Sequence, residues 1–407
     1  MKRLLSTLLL LSPTLIFAQA YQLNLQGNRQ IGMGSTGIAD PQNGASLVFN
    51  PGSSAFTKDN SMTFSISPVI SKGTFTDASS AKVSNANNPI VTPFGVSALL
   101  GNPNGRLRYG LAVYTPFGST MKWDDDATVN FDVRKISLIS VAVQPTISYK
   151  VTDKLGIGAG FIYGYGHVDI EKDLPVNFQD GSFGSAKISS AANSFGVNAG
   201  IYYEFSKQFS AGATYRSPLK MKTTSGGMNT FNVPASLSSN FPDQHIKATL
   251  PLPAIWGIGF SYKPTDRLTL NLDGTMSDWK PYDTIVVHYQ SAPVAGSYET
   301  ELVRKYGKGY SVRIGAEYKF TPRFFGRAGL YYSKTPISAE YVAADVPDAN
   351  RLNTSMGISY NISKRFSLDA AFLYERINRK SDNIITDIKG TYKFSLYIPS
   401  IGFTYKL

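Results

Sequence analysis

The sequence of 407 residues contains no cysteine, and only 17% of its residues are charged. The absence of cysteine excludes a disulfide framework and a cysteine metal site. The three histidines, His167, His245 and His288, lie far apart and lack metal-ligand spacing, so we expect neither a metal nor a cofactor. Beyond residue 20, no apolar run reaches the roughly 20 residues that a membrane-spanning helix needs. What the chain does contain is an unusual share of aromatic residues, 13%.

The first twenty residues have the pattern of a secretory signal. Lys2 and Arg3 precede an apolar run over residues 4–17, and Ala18-Gln19-Ala20 supplies the small residues of a cleavage site. A membrane anchor is the alternative, but the run is shorter than a spanning helix of roughly 20 residues. We therefore predict cleavage after Ala20 or Ala18 and a mature chain that leaves the cytoplasm.

The net charge of +12 does not indicate nucleic-acid binding. The basic residues are scattered rather than clustered, and an exported protein does not meet the nucleic acids of the cytoplasm. The positive excess is better suited to an anionic membrane surface. No linker or low-complexity boundary divides the chain into separate globular domains.

Past residue 60, apolar and polar residues alternate with a period of two. In segment 195–205, Phe195, Val197 and Ile201 fall on one face, whereas Asn198 and Glu204 fall on the other. Short polar turns alternate strictly with long polar loops, which is the pattern of fourteen antiparallel strands. The predicted strands are 61–71, 92–100, 107–115, 136–149, 155–170, 195–205, 209–216, 250–262, 268–278, 309–320, 324–333, 352–360, 366–376 and 393–407.

This pattern predicts an all-β fold, a fourteen-stranded antiparallel transmembrane β-barrel of the outer-membrane type. Only helices and closed barrels span lipid, because every backbone N–H and C=O group must be paired there. Rows such as Trp256, Ile258 and Phe260 should therefore face lipid, and rows bearing Arg313 and Glu317 should line the lumen. We accordingly expect a multi-pass protein of the bacterial outer membrane.

A barrel of about fourteen strands is too wide for its own side chains to fill. Residues 27–56 are interrupted by glycines and prolines, yet Ile31, Met33 and Leu47 within them need burial. Irregular backbone at membrane depth is tolerated where protein or a water-filled cavity surrounds it. We therefore predict a signal peptide over residues 1–20, a plug inside the lumen over residues 21–60, called the hatch below, and the barrel over residues 61–407.

Several motifs resemble those of a known family. The hatch contains Asn50-Pro51-Gly52, and Tyr114-Thr115-Pro116-Phe117-Gly118 is followed by Trp123. Segments 144–163, 250–279 and 310–336 complete the match in the same order, the last of them followed by Val346-Pro347-Asp348-Ala349-Asn350-Arg351. From Tyr21 to its end, the chain resembles the FadL/TodX outer-membrane transporters of long-chain fatty acids and other hydrophobic compounds. The family usually has alanine where this chain has Gly52.

The resemblance implies passive uptake of fatty acids or aromatic hydrocarbons. Ligand is captured at extracellular loops, passes to an inner apolar pocket and leaves sideways through a kink in the third strand. That strand runs into Pro116, Phe117 and Gly118, where proline cannot donate to the ladder and glycine weakens it. Pro116 could equally end the strand before a loop. By resemblance, Asn50-Pro51-Gly52 should face the third strand as the hatch element that moves.

The ligand-binding candidates are apolar loop residues and lumenal cations. Residues of the third and fourth long loops could form the capture groove, or could pack only on one another: Phe178, Phe183, Phe231, Leu237 and Phe241. A fatty-acid carboxylate would favour a cationic partner. Lys308 and Arg313 are the candidates and Arg216 is second, although lumenal arginines also pair with neighbouring acids such as Glu317.

The predicted partners are a hydrophobic small molecule and the lipid or lipopolysaccharide of the outer membrane, with no nucleic acid, and we expect a monomer. Two rival functions stay open, a porin-like channel for polar solutes and a structural or adhesion barrel. Asp124-Asp125-Asp126 lacks the spacing of an EF-hand and suits a solvated loop face or divalent bridging to lipopolysaccharide. A lipolytic enzyme using His167 has no supporting motif, so we expect no enzymatic activity.

Overall fold

The computed structural model describes residues 20–102, 104–177, 181–294 and 296–407. Fourteen barrel strands, some of them interrupted, follow one another along the chain. They are β1 (Ser61–Ile66 and Ile70–Asp77), β2 (Val83–Ala86 and Phe94–Gly101), β3 (Leu107–Tyr114 and Gly118–Lys122), β4 (Lys135–Lys150), β5 (Leu155–Asn177), β6 (Phe183–Glu204), β7 (Phe209–Arg216 and Leu219–Phe231), β8 (Gln244–Lys247, Thr249–Leu252 and Ala254–Thr265), β9 (Leu268–Asp278), β10 (Lys308–Lys319), β11 (Phe324–Lys334), β12 (Arg351–Asn361), β13 (Phe366–Asp382) and β14 (Lys389–Lys406).

Each strand pairs in antiparallel fashion with the next, and β14 returns to β1. The closing register joins Ser61 to Lys406 at one end and Asp77 to Gly390 at the other. Closure removes the unpaired edges that an open sheet would expose to lipid. The predicted fourteen-stranded antiparallel barrel is thereby confirmed. No helix in the described parts of the chain is long and apolar enough to cross a membrane.

The two faces of the barrel wall differ as the period of two predicts. Phe195 and Ile401 on the outer face are 65% and 62% exposed, whereas Asn198 and Asp273 on the inner face are each 1% exposed. Because side chains alternate across a strand, one apolar row meets lipid and the neighbouring polar row meets the interior.

The predicted bounds of β5 and β6 are too short at their extracellular ends. These strands run for 23 and 22 residues, although crossing the bilayer takes only about 9–11. Above the lipid, Glu171 and Lys187 face each other on the outer surface, so the apolar row that marks a strand in lipid is absent there. A hairpin of Thr284–Tyr289 and Glu299–Val303 extends this extracellular sheet by pairing with β8.

The segment that precedes β1 lies inside the barrel and includes three short helices, α1 (Asn28–Gly32), α2 (Ser46–Phe49) and α3 (Pro51–Ser54). It contacts the wall on widely separated strands. Asn198 of β6 donates to the Val48 carbonyl at 3.1 Å, Asp273 of β9 accepts from the Gly37 N–H at 2.8 Å, and Ser400 of β14 hydrogen-bonds Asn28. The interior of the barrel is thus filled by the chain's own irregular segment. Of the predicted signal peptide, all but Ala20 lies outside the described residues.

Candidate functional site

The barrel wall is broken between β2 and β3. Their ladder runs from Gly101↔Arg108 to Gly95↔Tyr114 and then stops, and a single bridge at Ala86↔Trp123 joins the strands again nearer the extracellular end. In between, β2 turns towards β1, where the Val69 N–H donates to the Val91 carbonyl at 2.8 Å. Three prolines border the break, Pro89, Pro93 and Pro116, and proline has no N–H to donate to a ladder. We call this break the portal.

The first residues of the hatch occupy the inner side of the portal, and we call residues 21–26 the gate segment. The Leu23 N–H donates to the Pro116 carbonyl at 3.0 Å, and the Gly118 N–H donates to the Tyr21 carbonyl at 3.1 Å. Gln26 adds a side-chain hydrogen bond from Nε2 to the Thr115 carbonyl at 3.0 Å. The gate segment therefore satisfies backbone groups of β3 that the missing partner strand leaves open.

Asn50-Pro51-Gly52 lies elsewhere, and the prediction that it faces the third strand is wrong. Asn50 Nδ2 donates to the Ile201 carbonyl of β6 at 3.0 Å, and Ser148 of β4 donates to the Pro51 carbonyl at 2.7 Å. A Cβ atom at Gly200 would come within 1.9 Å of Asn50 Oδ1, so a glycine on β6 makes this close approach possible. The assignment of residues 50–52 as a moving gate stays a prediction; their packing is that of an anchor.

A buried ionic network fastens the hatch near α1. Arg29 lies 2.7 Å from Asp40 and 2.8 Å from Glu317 of β10, and Arg327 of β11 joins Glu317 at 2.6 Å and Asp369 of β13 at 2.8 Å. Burial by itself would raise the pKa of Asp40, but Arg29 and Lys263 outweigh it and lower that pKa to about 2. Such a network is costly to break, because removing one partner leaves a buried charge uncompensated.

Two of the three lumenal cations predicted to bind a carboxylate, Arg313 and Arg216, contact the hatch. Arg313 donates to the Ser35 carbonyl at 3.1 Å and lies over the Tyr331 ring. Arg216 donates to the Val48 carbonyl at 3.1 Å. Lys308, half-buried, is the register partner of Asp278 at the extracellular end of β10. A ligand role for Arg313 and Lys308 stays a prediction.

The predicted capture residues lie at the extracellular tips of β5 to β8. Phe183 is 42% exposed and packs edge-on against Phe131 with ring centres 4.9 Å apart. Phe231 is exposed, Leu237 and Phe241 are half-buried, and Phe178 lies outside the described residues. None of these four described residues lines either of the two cavities below.

Two cavities lie on either side of the gate segment. The portal cavity, of about 560 Å³, is lined by lipid-facing residues such as Ile90 and Ile139 and by interior residues such as Leu25 and Leu396. The inner cavity, of about 110 Å³, is enclosed by apolar side chains of β4 to β8 and of the extracellular hairpin: Ile136, Leu138, Val168, Ile170, Met221, Leu250, Leu252, Ile285 and Val287. Leu138 and Asp345 line both cavities, and Tyr21 of the gate segment and Phe117 of the wall line the inner one.

A buried polar cluster closes the end of the inner cavity. Tyr21 donates to Asp345 Oδ2 at 2.9 Å, and Arg304 holds the same carboxylate at 3.1 and 2.9 Å. Tyr282 donates to the Tyr21 hydroxyl at 3.3 Å. Burial raises the pKa of Tyr21, and burial raises the pKa of Tyr282 to about 12, so both phenols remain protonated donors at neutral pH.

The sequence interpretation missed this cluster. Tyr21 and Asp345 are separated by 324 positions, and no periodic pattern relates them. The available signal was the motif beginning at Val346, which directly follows Asp345 and which family resemblance singled out without giving it a role. In the described residues, no group of three or more histidine, aspartate or glutamate side chains is arranged to hold a metal ion.

The fold and the portal define an outer-membrane β-barrel with an internal plug and a lateral opening in its wall. Residues 9–406 match the family described as outer membrane protein transport protein (OMPP1/FadL/TodX), and the chain therefore belongs to that family.

Individual relatives are distant. The chain is 23% identical over 300 residues to outer membrane protein P1 of Haemophilus influenzae, a match that covers 67% of this chain and 63% of the relative. It is 22% identical over 300 residues to the long-chain fatty acid transport protein of Escherichia coli O6:H1, covering 67% of this chain and 66% of the relative. In both cases the match spans just under two thirds of the relative's length.

Solved structures show the same fold. A FadL homologue of Pseudomonas aeruginosa superposes with a TM-score of 0.82 at 17% identity, covering 95% of this chain and 100% of the homologue. The toluene transporter TodX of Pseudomonas putida gives a TM-score of 0.75 at 16% identity, covering 95% and 99% of the two chains. At these identities the likeness establishes architecture alone.

Proposed function

We propose that this protein carries small hydrophobic molecules passively across the outer membrane and releases them sideways through the portal. The observation that carries the proposal is the portal cavity, because a single apolar space joins the lipid-facing Ile139 to the interior residue Leu25. An apolar molecule that reaches this cavity from inside has a continuous path to the bilayer without crossing water. Relatives named for fatty-acid and toluene transport agree with it.

In this scheme, the inner cavity holds the ligand before the ligand is released through the portal. Ligand captured among the extracellular loops enters an apolar space on the far side of the gate segment, and no covalent chemistry takes place there. Dry apolar pockets with a few polar groups are the usual form of small-molecule sites. Tyr21 and Phe117 line the inner cavity, so displacement of the gate segment would join it to the portal cavity.

The gate segment suits this displacement better than the rest of the hatch. It is held at β3 by a small set of hydrogen bonds, each of which contributes about 0.5–1.5 kcal/mol net. An opening that costs a few kcal/mol in total is reached on the microsecond to millisecond scale of loop and lid motions. The hatch plugs the lumen throughout, which argues against a permanently open channel for polar solutes.

The proposal can be tested with an engineered disulfide, because the chain has no cysteine of its own. Gln22 and Phe117 are directly opposed in an antiparallel bridge, a geometry that brings Cα atoms within the range a disulfide spans. In a Gln22→Cys/Phe117→Cys variant, oxidation should reduce uptake of hydrophobic substrates by cells to background, and reduction should restore it.

The matched control is Thr63→Cys/Thr404→Cys, a cross-strand pair of β1 and β14 whose side chains also face the lumen. Oxidation of this pair should leave uptake unchanged. If complete cross-linking of residues 22 and 117 left uptake at the level of the reduced protein, lateral release past the gate segment would be excluded. The two single-cysteine variants separate the effect of the cross-link from that of the substitutions.

A further inference from the structure

The outer face of β13, β14 and β1 carries a cluster of cations just above the lipid. The four cations, which we call the cationic patch, are Lys72, Arg376, Lys380 and Lys393. We infer that the cationic patch binds the phosphate groups of lipopolysaccharide, the phosphorylated glycolipid of the outer leaflet. This inference concerns the lipid around the barrel and does not depend on which molecules the protein transports.

The strand register brings the four side chains onto one surface. Arg376 of β13 is paired with Ser395 of β14, and Ser395 is paired with Lys72 of β1. Lys393 precedes Ser395 by two positions and Lys380 follows Arg376 by four, so both project from the same face. With strands about 4.8 Å apart and a rise of about 3.4 Å per residue, the patch covers about 10 by 14 Å.

The cationic patch begins where the lipid-facing row ends. Tyr374 and Tyr397 form the register pair directly below Arg376 and Ser395, and their ring centres lie 5.3 Å apart. Aromatic side chains on the outer face mark the membrane interface of outer-membrane barrels. Above the patch, residues 383–388 join β13 to β14 at the extracellular end. The four cations therefore lie at the level of the lipid headgroups of the outer leaflet.

No acidic side chain pairs with the cationic patch in the part of the chain that the structure describes. All four cations are exposed, and Asp382, which shares their face, lies beyond Lys380 and opposite Lys389. The ion pairs around β13 and β14 belong to the lumen, the loop tip or the periplasmic end: Arg327–Asp369, Arg351–Glu375, Lys389–Asp387 and Lys406–Asp59. Unpaired like charges at this spacing repel one another, and anionic groups bound between them would relieve the repulsion.

Another face of the barrel shows that the extracellular sheet can carry cations without such a surplus. On the outer face of β4 to β6, Lys135 and Lys187 lie 3.5 and 3.7 Å from Glu171. Charges of both signs are thus interspersed there, as is usual on a protein surface that has no charged partner. The segregation of positive charge on β13, β14 and β1 therefore points to an anionic partner outside the chain.

The order of groups along this face matches that of a phosphorylated glycolipid. Ser395 lies between Arg376 and Lys72, and Thr391 is opposite Lys380, so hydroxyl donors accompany the charges. Arginine offers several N–H groups to a phosphate, whereas lysine acts as a point charge. Below the tyrosine pair the outer row is apolar and suits acyl chains.

The cationic patch also borders the portal. Val69 and Ser71, which precede Lys72 on β1, line the portal cavity. A glycolipid held by Lys72 would therefore lie along the β1 side of the opening. The membrane next to the portal would then contain a specifically bound lipid at that position.

The test measures binding of purified, fluorescently labelled lipopolysaccharide to the detergent-solubilised full chain. The wild type is compared with the double variant Arg376→Gln/Lys393→Gln. Each cation near an anionic lipid surface contributes about fivefold to binding, so the double variant should bind about 25-fold more weakly. A loss of less than about threefold would overturn the inference.

The matched control is Lys135→Gln/Lys187→Gln, which removes the same charge from the outer face of β4 and β6. Its affinity should stay within about threefold of the wild type, because these lysines already have an acidic partner. Arg376→Lys, which keeps the charge, should also stay within about threefold. Equal weakening by the two double variants would assign binding to net charge and would reject the patch as the site. Heat-modifiable migration in gels identifies the folded barrel in every variant.

Two further ligands identify the chemical group that is recognised. Dephosphorylated lipopolysaccharide should bind the wild type at least about tenfold more weakly than the intact form, and this difference should shrink in Arg376→Gln/Lys393→Gln. Equal binding of the two forms would contradict phosphate recognition. Phosphatidylglycerol, which carries one phosphate, should bind more weakly than lipopolysaccharide. Equal affinity for phosphatidylglycerol would reduce the patch to a general surface for anionic lipids and would overturn the assignment to lipopolysaccharide.

Discussion

The gate segment and the remainder of the hatch, residues 27–60, which we call the hatch body, fill the same lumen but are attached to the barrel wall by different kinds of contact. The hatch body is held by buried ion pairs such as Arg29–Glu317 and by close contacts with wall glycines such as Gly200. The gate segment bonds to backbone groups beside the portal through Leu23 and Tyr21, and the Tyr21 hydroxyl adds one hydrogen bond to Asp345. A buried ion-pair network is costly to break, whereas a few hydrogen bonds that water can replace are not. In the proposed mechanism, the molecule thus combines a fixed plug with a movable first segment.

The largest effect, on ion conductance, is expected when the hatch body loses its attachment through Arg29. The Arg29→Met variant leaves Asp40 without its nearest cation and Glu317 with Arg327 alone, and loss of one partner from a buried pair costs about 3–5 kcal/mol. The hatch should undock while the closed barrel persists. Conductance in planar lipid bilayers should then rise from background to that of an open pore.

The matched control is Arg323→Met, on an exposed turn before β11. It should show background conductance. If Arg29→Met also stayed at background and its hatch amides remained protected from hydrogen exchange, the ionic network would not be what fixes the hatch body.

A smaller effect, on uptake, is expected from Gln26→Leu in the gate segment. Gln26 Nε2 donates to the Thr115 carbonyl of the wall at 3.0 Å, and loss of this bond should favour gate displacement by about 1 kcal/mol. Uptake should therefore rise by about fivefold without a change in conductance.

Gln208→Leu, on the exposed turn before β7, provides the same substitution without a portal contact and should leave uptake unchanged. A rise in ion conductance in Gln26→Leu would show that the gate segment and the hatch body move together. In that event the contrast between the two regions would be lost.

The barrel follows from local patterns, whereas the placement of the hatch does not. The predicted bounds of β9 and β10, 268–278 and 309–320, agree with the structure to within a residue, because lipid imposes an apolar row on every strand that crosses it. Beyond the lipid this constraint ends, so the sequence pattern does not reveal the extracellular extensions of β5 and β6.

The hatch obeys no such period. Residues 50–52 dock where Gly158 of β5 and Gly200 of β6 leave room, a feature that only the folded barrel assembles. Pro116 illustrates the intermediate case. Its missing N–H indicates a weak ladder, and the structure places the break there, but nothing local reveals that Tyr21 and Leu23 would cover it.

The smallest effect on docking of the hatch body is expected from mild acid. The pKa of Asp40 is lowered from 3.8 to about 2 because Arg29 and Lys263 outweigh burial. A carboxyl group with a depressed pKa contributes stability that is fully present above its ordinary pKa and is lost as the pH falls through the folded value. The contribution of Asp40 to hatch docking should therefore be fully present from neutral pH down to about pH 4 and should be lost, with a rise in conductance, as the pH approaches about 2. Asp40→Asn removes at every pH the charge that Arg29 pairs with, so this variant should show raised conductance already at neutral pH and a smaller further rise on acidification. A conductance increase near neutral pH in the wild type would show that a different titrating group, and not Asp40, sets the attachment of the hatch body.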